Sequence, residues 1–450
     1  MFRFSQLSIN TLFMVLLASS VVAAPYDSTY LPRPTADFVI RNAVVYDGTG
    51  AEPKEFDVVV KGGRISAIGV DLNLEGLQII DAKGRWLTPG IIDVHSHLGV
   101  YPSPSIASTS DGNEATAPST AQVWAEHSVW PQDPQFALAL EGGVTSLQIL
   151  PGSANLFGGR GVTLKNVPSR TVMGMKFPDA PHGLKMACGE NPKRVYGSRK
   201  SAPSTRMGNV AGYRTEWIKA LEYKAKWDRY DPEDEKPPPS RDLKLETLVG
   251  VLNGEILVHN HCYRADEMAT LIEISKEFGY KIGTFHHAVE SYKIADLLAE
   301  EGICSAMWTD WWGFKLEAYD GIQQNVALVD QAKACAIVHS DSARDIQHLN
   351  QEAAKAMTAG RRMGMKINDA QALRWITLNA ARSLGIDKET GSIEVGKAAD
   401  IVLWDHNPLS VYSRAQQVFI DGYLYYHRDD MARQPITDFA LDQLFGGGNE

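Results

Sequence analysis

At 450 residues the chain is too long for one small core, but long enough for an α/β barrel of about 250 residues plus a smaller companion domain. Apolar residues at 44% and charged residues at 22% are those of an ordinary globular protein, without the bias of disorder or of a membrane bundle. A net charge of −10 argues against a nucleic-acid partner, since a phosphate backbone demands clustered Lys and Arg.

The chain opens with Arg3, a short apolar run over 12–22, and the small residues Ala23 and Ala24. The run falls well short of the ~20 apolar residues that span a bilayer, so residues 1–24 read as a signal peptide. The expectation is an exported protein, periplasmic or secreted, that begins near Ala24 or Pro25 and has no membrane contact after cleavage. No cysteine stands at the cleavage point to carry a lipid. Cys188, Cys262, Cys304 and Cys335 all lie in or beside apolar runs, and are expected to be buried free thiols with no structural disulfide.

From Asp37 onward, "DFVIRNAVVYDGTG", "FDVVVKGGRISAIG" and "LQIIDAKGRWLTPG" are short β-branched runs broken by Gly-containing turns. The texture returns in "GSIEVGKAADIVLWD" and "QVFIDGYLYYHRD". Both pieces are too small to stand alone, so 25–88 and 391–450 are expected to fold together as one composite β-sandwich. Between them, over 89–390, apolar strand-like runs alternate with helix-period segments such as "RADEMATLIEISKEFG". Counting "WLTPGIIDVHSH", "GVTSLQIL", "RTVMGMKF", "HGLKMACG", "GEILVHNH", "KIGTFHH", "GICSAMW" and "ACAIVHSD" gives eight strands, the number that closes a (β/α)8 TIM barrel. Two insertions, from Tyr101 to about Pro134 and from Asn191 to about Leu248, follow strand ends. They are candidate walls or lids of a site at the barrel's C-terminal face.

The strand ends carry the chemistry. His95 and His97 share a face by the strand period of two, with Asp93 behind them. His261 ends the fifth strand, with His259 one layer deeper as a packing or supporting residue. Of the adjacent His286 and His287, the alternation of faces allows only one to point inward. His339 and Asp341 share a face at the end of the eighth strand, with Asp341 outermost. Histidine and carboxylate gathered at successive strand ends suit a divalent metal ion. The glycines over 158–161 are too weak a pattern for a dinucleotide site.

"PGIIDVHSH", "GVTSLQILPGSAN", "HNHCY", "HHAVE", "HSDS" and the closing "LNAARSLGIDKETGSIEVGKAADIVLWD" resemble the metal-dependent amidohydrolase superfamily, in its imidazolonepropionase and prolidase-like branch. The resemblance covers nearly the whole chain after the leader, and implies a distorted barrel with a β-sandwich built from both ends. It implies that His95 and His97 hold the more buried metal, that His261 and His287 hold the other, and that Asp341 binds metal and moves protons. A fourth-strand ligand, either a carboxylated lysine or a glutamate, completes such sites. Lys185 and Glu190 are the candidates, and Glu190 is preferred because Lys185 starts roughly 16 Å lower at the usual strand rise. Zinc or a similar ion is expected, one or two per chain. Tyr263 occupies the place where relatives use a tyrosine near the substrate, and Arg160, Lys193 and Arg194 are candidates to meet a substrate carboxylate. Trp308, Trp311 and Trp312 could line a pocket.

The expected function is hydrolysis of a C–N bond, amide, peptide-like or N-acyl, in a small-molecule substrate. Alternatives on the same site are a lactone, ester or phosphoester hydrolase or a deaminase, and, from another class, a binding protein without catalysis. The last has no use for an ionisable Asp341 beside the metals. A homo-oligomer is compatible with all of these.

Overall fold

A computed structural model describes residues 26–233 and 236–434. The expected leader, residues 1–24, lies outside the described residues. The strands in chain order are β1 (Phe38–Val45), β2 (Lys54–Lys61), β3 (Arg64–Gly69), β4 (Gln78–Asp81), β5 (Trp86–Pro89), β6 (Ile91–Ser96), β7 (Val144–Ile149), β8 (Phe157–Lys165), β9 (Gly183–Ala187), β10 (Leu257–Cys262), β11 (Ile282–His287), β12 (Cys304–Met307), β13 (Cys335–Val338), β14 (Ile401–Trp404), β15 (Ala415–Ile420) and β16 (Tyr423–His427). The helices used below are α1 (Pro134–Glu141), α2 (Glu190–Ser198), α3 (Arg206–Asp228), α4 (Leu243–Leu252) and α5 (Ala265–Phe278).

The two ends of the chain share one sheet in the order β16-β15-β14-β5-β1-β2-β3, with β4 beside β1. Its alternating apolar residues, among them Phe38, Ile40, Val58, Val60, Leu403 and Phe419, form their own core, in which the Phe38 and Phe419 rings stack at 5.2 Å. The run read as one strand, "WLTPGIIDVHSH", is divided at Gly90. Residues before it join this sheet and residues after it open the barrel. A side chain at Gly90 would collide with Thr145, whose Oγ1 stands 2.0 Å from the position of a Cβ.

The second sheet runs β13-β12-β11-β10-β9-β8-β7-β6, a distorted TIM barrel. Its ends are drawn together by Asp341 N–H donating to His95 O at 3.0 Å, and by Val338 and Ile92 donating to the carbonyls of Trp375 and Ile376. The third strand corrects the sequence reading. "RTVMGMKF" forms a 3-10 turn, Val172–Gly174, and a single bridge from Lys176 to Leu164, and the strand is β8, antiparallel to both neighbours. Its glycines serve close approach: a Cβ on Gly159 would lie 2.4 Å from Val123 O, and one on Gly161 2.6 Å from Leu150 Cδ2.

Running backwards, β8 delivers Lys165 to the end of the barrel where the other sheet docks. Lys165 Nζ is buried between Asp421 Oδ2 at 2.7 Å and Asp400 Oδ2 at 3.4 Å, and Tyr30 Oη donates to Asp421 at 2.6 Å. The pairing ties β8, the terminal sheet and the leading segment into one lock.

The cysteines are a second correction. Cys188 is bonded to Cys262 and Cys304 to Cys335, with Cα separations of 5.2 and 4.4 Å, so none is free. Register is the reason. Cys304 and Cys335 are direct partners in the β12–β13 ladder, and Cys188 N–H donates to His261 O beside Cys262. Spacing along the chain does not reveal which strands become neighbours.

Both features are testable by unfolding. Lys165→Ala leaves two carboxylates buried without their cation and should cost roughly 3–5 kcal/mol in denaturant unfolding; a loss under about 1 kcal/mol would show the lock to be idle. Reducing the disulfides should likewise lower the thermal midpoint, as closing loops of 74 and 31 residues contributes on the order of 2–5 kcal/mol each. An unchanged midpoint after complete reduction would contradict this.

Candidate metal centre

Six histidines, one lysine and one aspartate converge at the barrel's C-terminal mouth. β6 carries His95, and His97 follows it. The His97 ring is oriented by its Nδ1, 2.8 Å from Leu150 O, which turns Nε2 inward to within 3.1 Å of Asp341 Oδ1. His95 Nε2 stands 3.5 Å from the same oxygen. Asp341 is held in a left-handed backbone conformation, φ 50°, next to Ser340. Ser340 is anchored by Asp93, whose carboxylate accepts from the Ser340 hydroxyl and backbone N–H and from His95 N–H. Burial pushes the Asp93 carboxyl up to about 7 against those hydrogen bonds.

β10 and β11 supply the other side. The rings of His261 and His287 lie 4.5 Å apart, and His287 Nδ1 lies 3.0 Å from His339 Nε2 and 3.8 Å from Asp341 Oδ2. Trp308 stacks on His287 at 4.3 Å. The expectation that only one of His286 and His287 points inward is overturned. His287 has φ 67° and Ala288 φ 39°, so the strand's alternation fails at its last residue and both rings enter the site. His286 Nδ1 lies 3.0 Å from His95 Nδ1.

The preference for Glu190 is also corrected. β9 ends at Ala187, Gly189 turns the chain with φ 76°, and Glu190 begins α2, where its carboxylate pairs with Lys315 at 3.4 Å. Lys185 reaches the histidines instead, its Nζ 3.1 Å from His95 Nε2. Its long aliphatic stem covers the rise that the comparison of strand levels counted against it.

Burial sets the electrostatics. It lowers His95, His261, His286 and His287 well below the usual imidazole value, His339 to about 4 and His259 to about 3, so these fully buried rings stay neutral. It lowers the Lys185 amine to about 7. Burial also raises the Asp341 carboxyl, but the His97 hydrogen bond and the field of the surrounding groups, Lys185 included, outweigh it and hold the group below its ordinary value.

These donors fit a divalent cation. Ligands about 2.1 Å from a tetrahedral ion stand about 3.4 Å apart, the spacing of His95 Nε2 and His97 Nε2 from Asp341 Oδ1. Two overlapping groups, His95 with His286 and His339 and His95 with His287 and Asp341, bring candidate ligand atoms within 4.8 Å of one another. His261 Nδ1 and His339 Nδ1 are buried with no hydrogen-bond partner among the described residues.

Of the substrate candidates, Tyr263 sits at the mouth, edge-on to His261 at 4.7 Å. Arg160 does not reach the histidines. It is buried in β8 with its guanidinium 4.2 Å over Trp124 and Nε donating to Thr247 Oγ1. Arg194 is exposed on α2 near Lys315, and Lys193 is half-buried on the same helix. Lys315 was not singled out from the sequence. Its Nζ lies 4.0 Å over the Tyr263 ring and donates to Asn191 Oδ1 at 3.1 Å, and Asn191 Nδ2 lies 3.4 Å from His261 Nε2. The available signal was its place after the tryptophan-rich run that follows the seventh strand. The insertions do wall the mouth: Tyr101 packs edge-on to His97 at 5.6 Å, and α2 supplies Glu190 and Asn191. The rest of the second insertion braces the barrel through Trp217, stacked on Tyr280 at 4.3 Å.

Residues 239–428 match the amidohydrolase family model. An amidohydrolase of Thermotoga maritima, known from its crystal structure, is 37% identical and superposes with a TM-score of 0.81, covering 87% of this chain and 100% of its own. The amidohydrolase tasK of Hapsidospora irregularis is 34% identical over 431 residues, 87% of this chain and 43% of tasK. An N-acyl-D-aspartate deacylase of Alcaligenes xylosoxydans is 45% identical over 66 residues, 15% of this chain and 13% of the deacylase. The chain thus spans less than half the length of these two curated relatives. With the Thermotoga protein matched along its whole length, the chain belongs to the metal-dependent amidohydrolase superfamily.

Proposed function

We propose that the protein is an exported hydrolase that uses one or two divalent ions, zinc or similar, to cleave a C–N bond in a small peptide-like or N-acyl amide. The observation that carries this is the convergence of His95 Nε2, His97 Nε2 and Asp341 Oδ1 within 3.5 Å, with the rear nitrogen of each ring already engaged. His95, His97 and Asp341 would hold one ion, and His261 and His287 a second. A bound ion there supplies Lewis acidity toward the carbonyl and makes hydroxide available from water at neutral pH.

The chain's own groups supply the proton chemistry and orientation. Asp341, ionised at neutral pH, takes a proton from the attacking water and returns it to the leaving nitrogen. Lys185, with its amine near neutrality, is the fourth-strand candidate: addition of CO2 forms an N–C bond, releases the amine proton to solvent and leaves a carboxylate among the histidines. Tyr263 and Trp308, a buried apolar group between the rings and the mouth, shield the reacting bond from water. The deacylase likeness supports an N-acyl amide over an ester, and the two disulfides support an oxidising compartment.

A screen of dipeptides, N-acyl amino acids, lactones and amino-substituted rings tests the bond type, with turnover expected for the first two; turnover of lactones alone would sink the reading. Asp341→Asn should lower kcat and kcat/KM alike by roughly 10²- to 10⁴-fold. Metal content is measured on the same sample, and wild-type turnover with metal retained would show that the proton is handled elsewhere. Labelled CO2 should appear as a carbamate carbon signal in wild-type protein and vanish in Lys185→Arg. A signal that persists in that variant would contradict the assignment.

A further inference from the structure

The end of the barrel opposite the histidines holds a second cavity. β13 begins at Cys335, roughly 13 Å from His339 at the usual strand rise. Beside Cys335, between the helix Asn325–Gln331 and the segment 365–382, a cavity of about 560 Å³ opens to solvent. That volume falls in the range of small-molecule sites.

The charge of its lining is one-sided. Lys333, Lys366, Arg374 and Arg382 face it against one carboxylate, that of Asp330. The carboxylate is already engaged, accepting from Arg374 Nη2 at 2.7 Å. Arg374 Nε is buried and has no hydrogen-bond partner among the described residues. The side chains of Lys333, Lys366 and Arg382 make no hydrogen bond or ion pair with any described residue. Gln371 adds a donor: the capping box at Asn368 holds its Oε1 on Asn368 N–H at 2.9 Å, which leaves the NH2 end of the amide unengaged.

Acidic residues outnumber basic ones in this chain, 54 to 44, so a basic concavity runs against its composition. Like charges held at one place repel, and concave walls of low polarity focus their field on the space between them. Lys333 adds a backbone cost. It follows the end of its helix with φ 63°, a conformation that glycine adopts more easily, and it sets its charge at the cavity. A single negative charge would leave most of these cations unanswered.

We propose that this cavity is a binding site, separate from the metal centre, for a small polyanion that carries two or more phosphate or carboxylate groups. The site stands on the lining of the cavity alone, and is independent of the reaction proposed above.

The test is calorimetric titration of the full chain, as purified and at low salt. The probes are fructose 1,6-bisphosphate and propane-1,2,3-tricarboxylate, with methyl phosphate and acetate as their lightly charged counterparts. The expected result is one polyanion per chain, at least 10-fold weaker binding of the counterparts, and an affinity that falls as sodium chloride is added. The tighter of the two polyanions tells phosphate from carboxylate as the group preferred. Lys366→Ala and Arg382→Ala each remove an exposed side chain, and each should weaken polyanion binding about 10- to 100-fold, the usual worth of a hydrogen bond to a charged group. Lys54→Ala combined with Lys61→Ala, which removes two exposed lysines outside the cavity, should leave the affinity unchanged. No saturable binding in the millimolar range would overturn the proposal. So would wild-type affinity retained in both cavity variants, since the anion would then sit elsewhere, the metal centre included.

Discussion

Burial of imidazole governs this molecule: a histidine inside a barrel is costly as a cation, so the buried rings are held neutral, and most of their nitrogens find a partner. The partners found here are mostly one another. His95, His259 and His286 form one connected line, and His287 and His339 meet at 3.0 Å with Trp308 stacked above. Around Asp341 stand His97 Nε2, His95 Nε2 and His287 Nδ1, at 3.1, 3.5 and 3.8 Å. The same low polarity that neutralises the rings lowers the Lys185 amine, so the donor set is assembled without competing protons.

The geometry of that point depends on how the barrel is joined. β6 and β13 are brought together at the mouth through the Asp341 N–H to His95 O bond and through Asp93 bridging to Ser340. Asp341 and His95 are thus fixed by the same contacts that shut the sheet. At the opposite end, Lys165 between Asp400 and Asp421 sets the terminal sheet against the barrel. Gly90 marks the passage between them, where one run of residues serves both sheets.

Much of the site was legible from periodicity. The period of two placed His95 with His97 and His339 with Asp341, and the return of β-branched runs at the far end predicted a sheet shared by both ends. What periodicity missed depends on departures from a regular strand. His287 and Ala288 adopt positive φ, so two adjacent histidines share the interior. β9 stops at Ala187 and turns at Gly189, so comparing the levels of Lys185 and Glu190 along a continuous strand favoured the wrong residue. Other misses depend on register between strands distant in the chain. The cysteine pairs and the glycine-rich β8 take their meaning from neighbours that a single line of residues does not name, and Lys315 gains its place only once the Tyr263 ring lies beneath it.

The central claim is that the neutral imidazoles and Asp341 are arranged to receive a cation. Anomalous X-ray scattering from crystals of the zinc-loaded protein, recorded on both sides of the zinc absorption edge, tests it most directly. The account predicts a peak at the mouth within about 2.0–2.2 Å of His95 Nε2, His97 Nε2 and an Asp341 oxygen. Full zinc occupancy at a site away from these three side chains, or no peak at the mouth from protein that binds zinc in solution, would contradict it.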